Sequence, residues 1–164
     1  SRPSWAPTPT RNTKMILRWT HVMLHHSLTE DGQTVSWQAI RRWHMGEYPD
    51  SPYRYSPMRD IGYHFGVELV DKTYEVFAGR PLDMPGGHCK AANPFAIGVC
   101  LIGNFDLSPP PEPLFSKAVG YVRGLISALD IPVRNVIGHC DLDRKSCPGK
   151  HFDIDRFRKQ LQGV

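Results

Sequence analysis

Apolar residues at helical spacing mark the clearest element of the chain. Phe115, Ala118, Val119, Val122, Leu125, Ile126 and Leu129 recur at intervals of three and four, and this predicts a core-facing helix from Pro113 to about Asp130. Pro113 suits its first turn, where a backbone N–H has no helical partner. Gly120 and Gly124 weaken such a helix, so close packing against a sheet is expected at both. Two shorter stripes behave alike. Trp37, Ile40, Trp43 and His44 follow Ser36 as N-cap and stop at Gly46, while Ile154, Phe157 and Leu161 follow Asp153. Between the helices the period changes. Met15 to Leu24 has the β-branched and aromatic content of a strand and runs directly into His25-His26-Ser27. Phe65, Val67 and Leu69 alternate before a polar turn at Asp71-Lys72 and a return strand from Tyr74 to Phe77, a β-hairpin. Ile97 to Ile102 is continuously apolar, as in a central strand buried on both faces, and Val133 to Ile137 reads as a strand that delivers His139 just past its end. Strand, helix, hairpin, strand, helix, strand, helix is the order of a single mixed α/β domain with a central β-sheet flanked by helices.

Composition adds bounds. At 164 residues the chain suits one domain with one core. Residues 1–14, with Pro3, Pro7 and Pro9, read as a flexible leader, leaving 15–164 for the domain. The segment from Glu47 to Asp60 carries Pro49, Pro52 and Pro57 and forms a long loop; its Tyr48, Tyr53 and Tyr55 either line a groove for sugar or peptide or pack the loop. A net charge of +4 and a pI near 9.0 favour anionic partners or surfaces. Basic residues neither cluster in blocks nor interleave with aromatics, so no nucleic-acid surface is expected. The apolar run ending at Gly103 falls far short of the roughly 20 residues that cross a bilayer, and no signal-peptide pattern is visible. Four cysteines without a CxxC pair suit synthesis in a reducing cytoplasm.

Candidate chemistry concentrates between Gly138 and Gly149. His139 and Cys147 stand eight positions apart in a loop, with Lys145 two residues before the cysteine and Pro148-Gly149 after it. Imidazole and thiolate are preferred zinc donors, and a catalytic zinc uses three protein ligands so that a fourth position stays open for water. The third donor must come from elsewhere. His25 and His26 are candidates, and neighbours on a strand point to opposite faces, so at most one of them can join His139. Spacing alone leaves that choice open, and also leaves the bland alternative of hydrogen-bonded structural histidines.

HHS at 25–27, GYHF at 62–65, GRP at 79–81, GGHC at 86–89, IGVCLIGNFD at 97–106 and GHCDLDRKSCPG at 138–149 together resemble the type 2 N-acetylmuramoyl-L-alanine amidase family, which includes phage amidases and peptidoglycan recognition proteins. Each motif is weak, but six in order from about Met15 to Leu161 are specific. The resemblance implies a zinc site of His25, His139 and Cys147 at one edge of the sheet, with zinc lowering the pKa of bound water to roughly 7 and polarising the amide carbonyl. It implies Tyr63 and Lys145 as catalytic residues, Tyr63 relaying a proton and Lys145 placing positive charge beside the developing oxyanion. His88, Asn93 and Arg80 are implied to contact the wall peptide. Some members carry Glu where Tyr63 stands, so the likeness is to the phage and recognition-protein branch. Cys89, Cys100 and Cys140 are then expected in the core or near the site, and His26, His44 and His64 in structural roles.

The implied activity is hydrolysis of the amide joining N-acetylmuramic acid to L-alanine in bacterial peptidoglycan. The implied setting is a phage or prophage endolysin, a monomer made in the host cytoplasm and released to the wall, with its basic surface serving adsorption. The alternative is a recognition module that binds peptidoglycan without cutting it. Loss of the cysteine ligand marks that state, and Cys147 is present. A structural zinc would need a fourth protein ligand, for which Cys140 and His26 are candidates.

Overall fold

The computed structural model describes residues 17–29, 36–47 and 57–163; the proline-rich leader and Tyr48, Tyr53 and Tyr55 lie outside the described residues. The strands are β1 (His21–His26), β2 (Phe65–Val70), β3 (Thr73–Ala78), β4 (Ala96–Leu101) and β5 (Val136–Gly138), and the helices α1 (Trp37–His44), α2 (Glu112–Leu129) and α3 (Ile154–Leu161). Among the described residues the strands form one sheet in the order β3-β2-β4-β1-β5. The β2–β3 hairpin is antiparallel and every other pairing is parallel, which makes the sheet mixed. All six residues of β4 are buried at its centre, as its apolar run predicts.

Alternation along the strands sorts two faces. Val22 and Leu24 of β1, Val67 of β2, Ile97, Val99 and Leu101 of β4 and Val136 of β5 join Phe115, Ala118, Val122 and Ile126 of α2 and Phe157 and Leu161 of α3 in the larger core. Complete burial of Phe157 contributes about 1.5–3 kcal/mol. The interleaved residues face the other way. Cys100 packs there with Ile102, Tyr63 and with Trp37 and Ile40 of α1, and Met23 and Ala96 pack with Cys89 and Ala92. Local signals start the helices as expected: Ser36 Oγ accepts from Ala39 N at 3.2 Å, and Asp153 Oδ1 accepts from Arg156 N at 2.9 Å. No helix among the described residues is long and apolar enough to cross a membrane.

Three expectations change. β1 begins at His21, later than Met15, where its parallel partner β4 begins at Ala96; Thr20 N and His21 N both donate to Phe95 O, and the described residues 17–20 join no ladder. His25 and His26 thus lie inside the strand. Likewise Val133–Asn135 form a 3-10 turn after Pro132, and β5 is confined to the stretch that pairs with Val22 to Leu24. Gly120 and Gly124 are exposed on α2, and a Cβ at either would meet nothing within 4 Å, so sheet packing is not their reason. Of the three other cysteines, Cys89 and Cys100 are buried in the core, and Cys140, exposed, lies beside the site next to His139, as the alternatives allowed.

Candidate metal centre and its cleft

The two-residue strand period selects between the adjacent histidines. Val22, Leu24 and His26 share the face of the larger core, where His26 Nδ1 accepts from Phe105 N at 3.0 Å. His25 shares the opposite face with Met23 and is aligned with Cys100 on β4. His139 opens the 3-10 turn His139–Asp141 directly after β5, and its ring lies 4.8 Å from that of His25. Cys147 arrives on the following loop. Cys140 N donates to Cys147 O at 2.7 Å, and Asp106 accepts from Lys150 N at 2.9 Å and from Ser146 Oγ at 2.8 Å, which ties both flanks of the cysteine down. Cys147 Sγ consequently lies 3.5 Å from His25 Nδ1.

One donor atom from each of His25, His139 and Cys147 falls within 4.8 Å of the others, the one His/Cys/acid group of this kind among the described residues. Neither His26 nor Cys140 joins it, so the group has three donors. Two imidazoles and a thiol beside an open cleft fit a zinc ion that keeps a position for water.

The electrostatics keep these donors uncharged. Burial, then the facing His88 and His139 rings, holds His25 well below the ordinary histidine value. Burial lowers His139 as well, and Lys145 adds to this while Asp143 opposes it. His88 is lowered to about 3, chiefly by burial. Neutral imidazole is the ligating form. Burial pushes the Cys147 thiol up to about 12, against a hydrogen bond from the backbone of His26, so thiolate formation there requires a neighbouring cation.

A cleft of about 460 Å³ opens over the three donors, and Tyr63, His88, Asn93, Asp143 and Lys145 also line it. The Tyr63 ring is nearly buried, 5.1 Å from the His25 ring. Lys145 is on the rim, its Nζ 3.7 Å from Asp143 Oδ2, and the same carboxylate oxygen is 3.4 Å from His139 Nε2 without hydrogen-bond geometry. His88 reaches inward: its Nδ1 is 2.9 Å from His25 Nε2. Asn93 Oδ1 accepts from His88 N and Cys89 N, both at 2.9 Å. Arg80 stands behind the cleft wall, where Nε donates to Ile61 O and Nη1 to Pro85 O at 2.8 Å each. His44 Nδ1 accepts from Gly62 N, and His64 lies between Gly98 N and Met84 O, so both hold backbone. Asp106 and Asp143 escaped the sequence reading. Nothing in the spacing links Asp106 to the ligands, whereas Asp143 stands four positions after His139, and both lie in motifs that carried the resemblance.

Residues 15–150 match the family described as N-acetylmuramoyl-L-alanine amidase. The endolysin of Klebsiella phage KP32 is 31% identical over 139 residues, 83% of this chain and 83% of the phage protein. A peptidoglycan-recognition protein of Drosophila melanogaster is 28% identical over 160 residues, 92% of this chain and 81% of its own. Among solved structures, the N-acetylmuramoyl-L-alanine amidase LysC from Clostridium intestinale shares the fold, with a TM-score of 0.71 at 21% identity over 89% of this chain and 87% of that one. With most of its length matched and three metal donors gathered at the end of β1, the chain belongs to the N-acetylmuramoyl-L-alanine amidase family.

Proposed function

We propose that the protein is a zinc-dependent hydrolase that cleaves the amide between N-acetylmuramic acid and L-alanine in bacterial peptidoglycan, and that it works as a phage or prophage endolysin. The observation that carries this reading is the meeting of His25, His139 and Cys147 on the floor of an open cleft. Family membership and the similar phage endolysin support it. His25, His139 and Cys147 would hold the ion, which supplies Lewis acidity and an activated water for attack on an amide carbonyl. The residues around it supply the rest. Lys145, exposed on the rim, brings positive charge to the carbonyl oxygen as negative charge develops there. Tyr63, packed between the rings of His25, His44 and Trp37, offers a hydroxyl held in place for proton transfer at the reacting centre. His88 and Asn93 shape the wall of the cleft that receives the stem peptide. The protein acts as a monomer, made in the host cytoplasm and released to the wall at lysis.

The recognition-protein relatives raise binding without cleavage as the second reading, and the retained Cys147 stands against it. Purified peptidoglycan treated with native protein, chelated protein and Cys147→Ser separates the two. New L-alanine amino termini from the native sample alone are expected. Wall binding by folded, zinc-loaded protein without any release on several wall types would sink the hydrolase.

A further inference from the structure

His88, on the wall of the cleft, reaches from there to His25. Its Nε2 lies 3.0 Å from Ala96 O, and its Nδ1 lies 2.9 Å from His25 Nε2. A carbonyl oxygen only accepts, so the Nε2 of His88 carries the proton and donates it to Ala96. The other nitrogen of a neutral imidazole is then a bare acceptor. His88 Nδ1 therefore takes the hydrogen bond of His25 Nε2–H, and the proton-free nitrogen of His25 is Nδ1, the one that faces Cys147 Sγ at 3.5 Å.

We propose that His88 is a positioning residue of the metal centre, fixing His25 in the Nε2–H tautomer with Nδ1 turned to the ion, and that the carbonyl of Ala96 sets the direction of this chain of hydrogen bonds. A partner of this kind aims the ligand and raises its basicity. The surroundings of His88 are built around that pose. A Cβ on Gly86 or Gly98 would come within 2.3 or 2.5 Å of its ring, so both positions need glycine for the imidazole to lie against the sheet. Asn93 pins its backbone from one side, and the rings of Tyr63 and His64 flank it at centroid distances of 6.5 and 6.0 Å. His64 is itself anchored between Gly98 N and Met84 O. The tautomer of a ligand on β1 is thus tied to the backbone of β4, its neighbour in the sheet.

The inference rests on the metal centre of the proposed function and not on the substrate, so it is tested without peptidoglycan. Long-range proton–nitrogen NMR of the zinc-free, nitrogen-15-labelled full chain should show both His25 and His88 protonated at Nε2. Zinc affinity is then measured by chelator competition. His88→Leu, with no acceptor, should weaken it about 10- to 100-fold, whereas His88→Asn, whose Oδ1 takes the place of Nδ1, should stay within about threefold of native. Thermal unfolding checks that each variant folds, and the NMR result on the native chain decides even if the leucine variant does not. His25 protonated at Nδ1 would overturn the proposal, as would equal affinities for the leucine and asparagine variants. Either result leaves open whether the protein cuts the wall, which the release of L-alanine termini reports separately.

Discussion

Asp106→Ala removes two hydrogen bonds from the loop that carries Cys147. The carboxylate accepts from Lys150 N at 2.9 Å and from Ser146 Oγ at 2.8 Å, one bond on each side of the cysteine. Bonds to an ionised group contribute about 1.5–3 kcal/mol each when shielded, and the half-buried position of Asp106 puts both at the low end, so the loss is about 3 kcal/mol. For a chain of this size that lowers Tm by about 5–10 °C. The loss depends on pH. The Lys150 N–H first, and then the Ser146 hydroxyl, hold the Asp106 carboxyl below its ordinary value of 3.8. A depressed folded pKa means that the stabilisation is fully present above the unfolded value and disappears as pH falls through the folded one. Thermal unfolding followed by circular dichroism should therefore show a gap between native and Asp106→Ala that is constant from neutral pH to about pH 5 and closes in more acid solution. Asp106→Asn keeps the acceptor for Lys150 N and should fall between the two, without this pH dependence. An alanine variant that melts with the native protein at neutral pH, or a gap unchanged in acid, would refute the reasoning.

Gly120→Ala and Gly124→Ala should each stabilise the protein by about 0.5–1 kcal/mol in denaturant titration, because both sites are exposed, helical and open to a Cβ. Ser36→Ala should cost about 1 kcal/mol in the same measurement through loss of the Ala39 N cap bond, and Ser36→Asp should restore it. Under the proposed function, Lys145→Ala should lower kcat for L-alanine release by about 100-fold, the low end for one charge at an oxyanion given its exposed side chain. Zinc binding by that variant, read by chelator competition, should be unchanged.

Much of this architecture was legible without coordinates, because the signals concerned are local. Apolar spacing of three and four located α1, α2 and α3, helped by Ser36 and Gly46 around the first, Pro113 in the first turn of the second and Asp153 before the third, and the alternation around Asp71-Lys72 located the hairpin. The buried run of β4 announced a central strand, since only a strand covered on both faces tolerates six apolar residues in succession. The order of six short motifs pointed to the family and to three ligand positions. What spacing left open was decided by long-range pairing. His25 faces the cleft and His26 the core because Val22 and Leu24 are committed to the helices beneath, and that commitment depends on which strands lie beside β1. The late start of β1 and the brevity of β5 follow from where their partners begin and end. The roles of His88, Asp106 and Arg80 have the same origin. His88 meets His25 across 63 positions of chain, Asp106 meets Ser146 across 40, and Arg80 spends its guanidinium on carbonyls of the loops around it. Contacts of that range leave no periodicity in the sequence, because hydrogen bonds between distant segments are set by how the sheet brings them together.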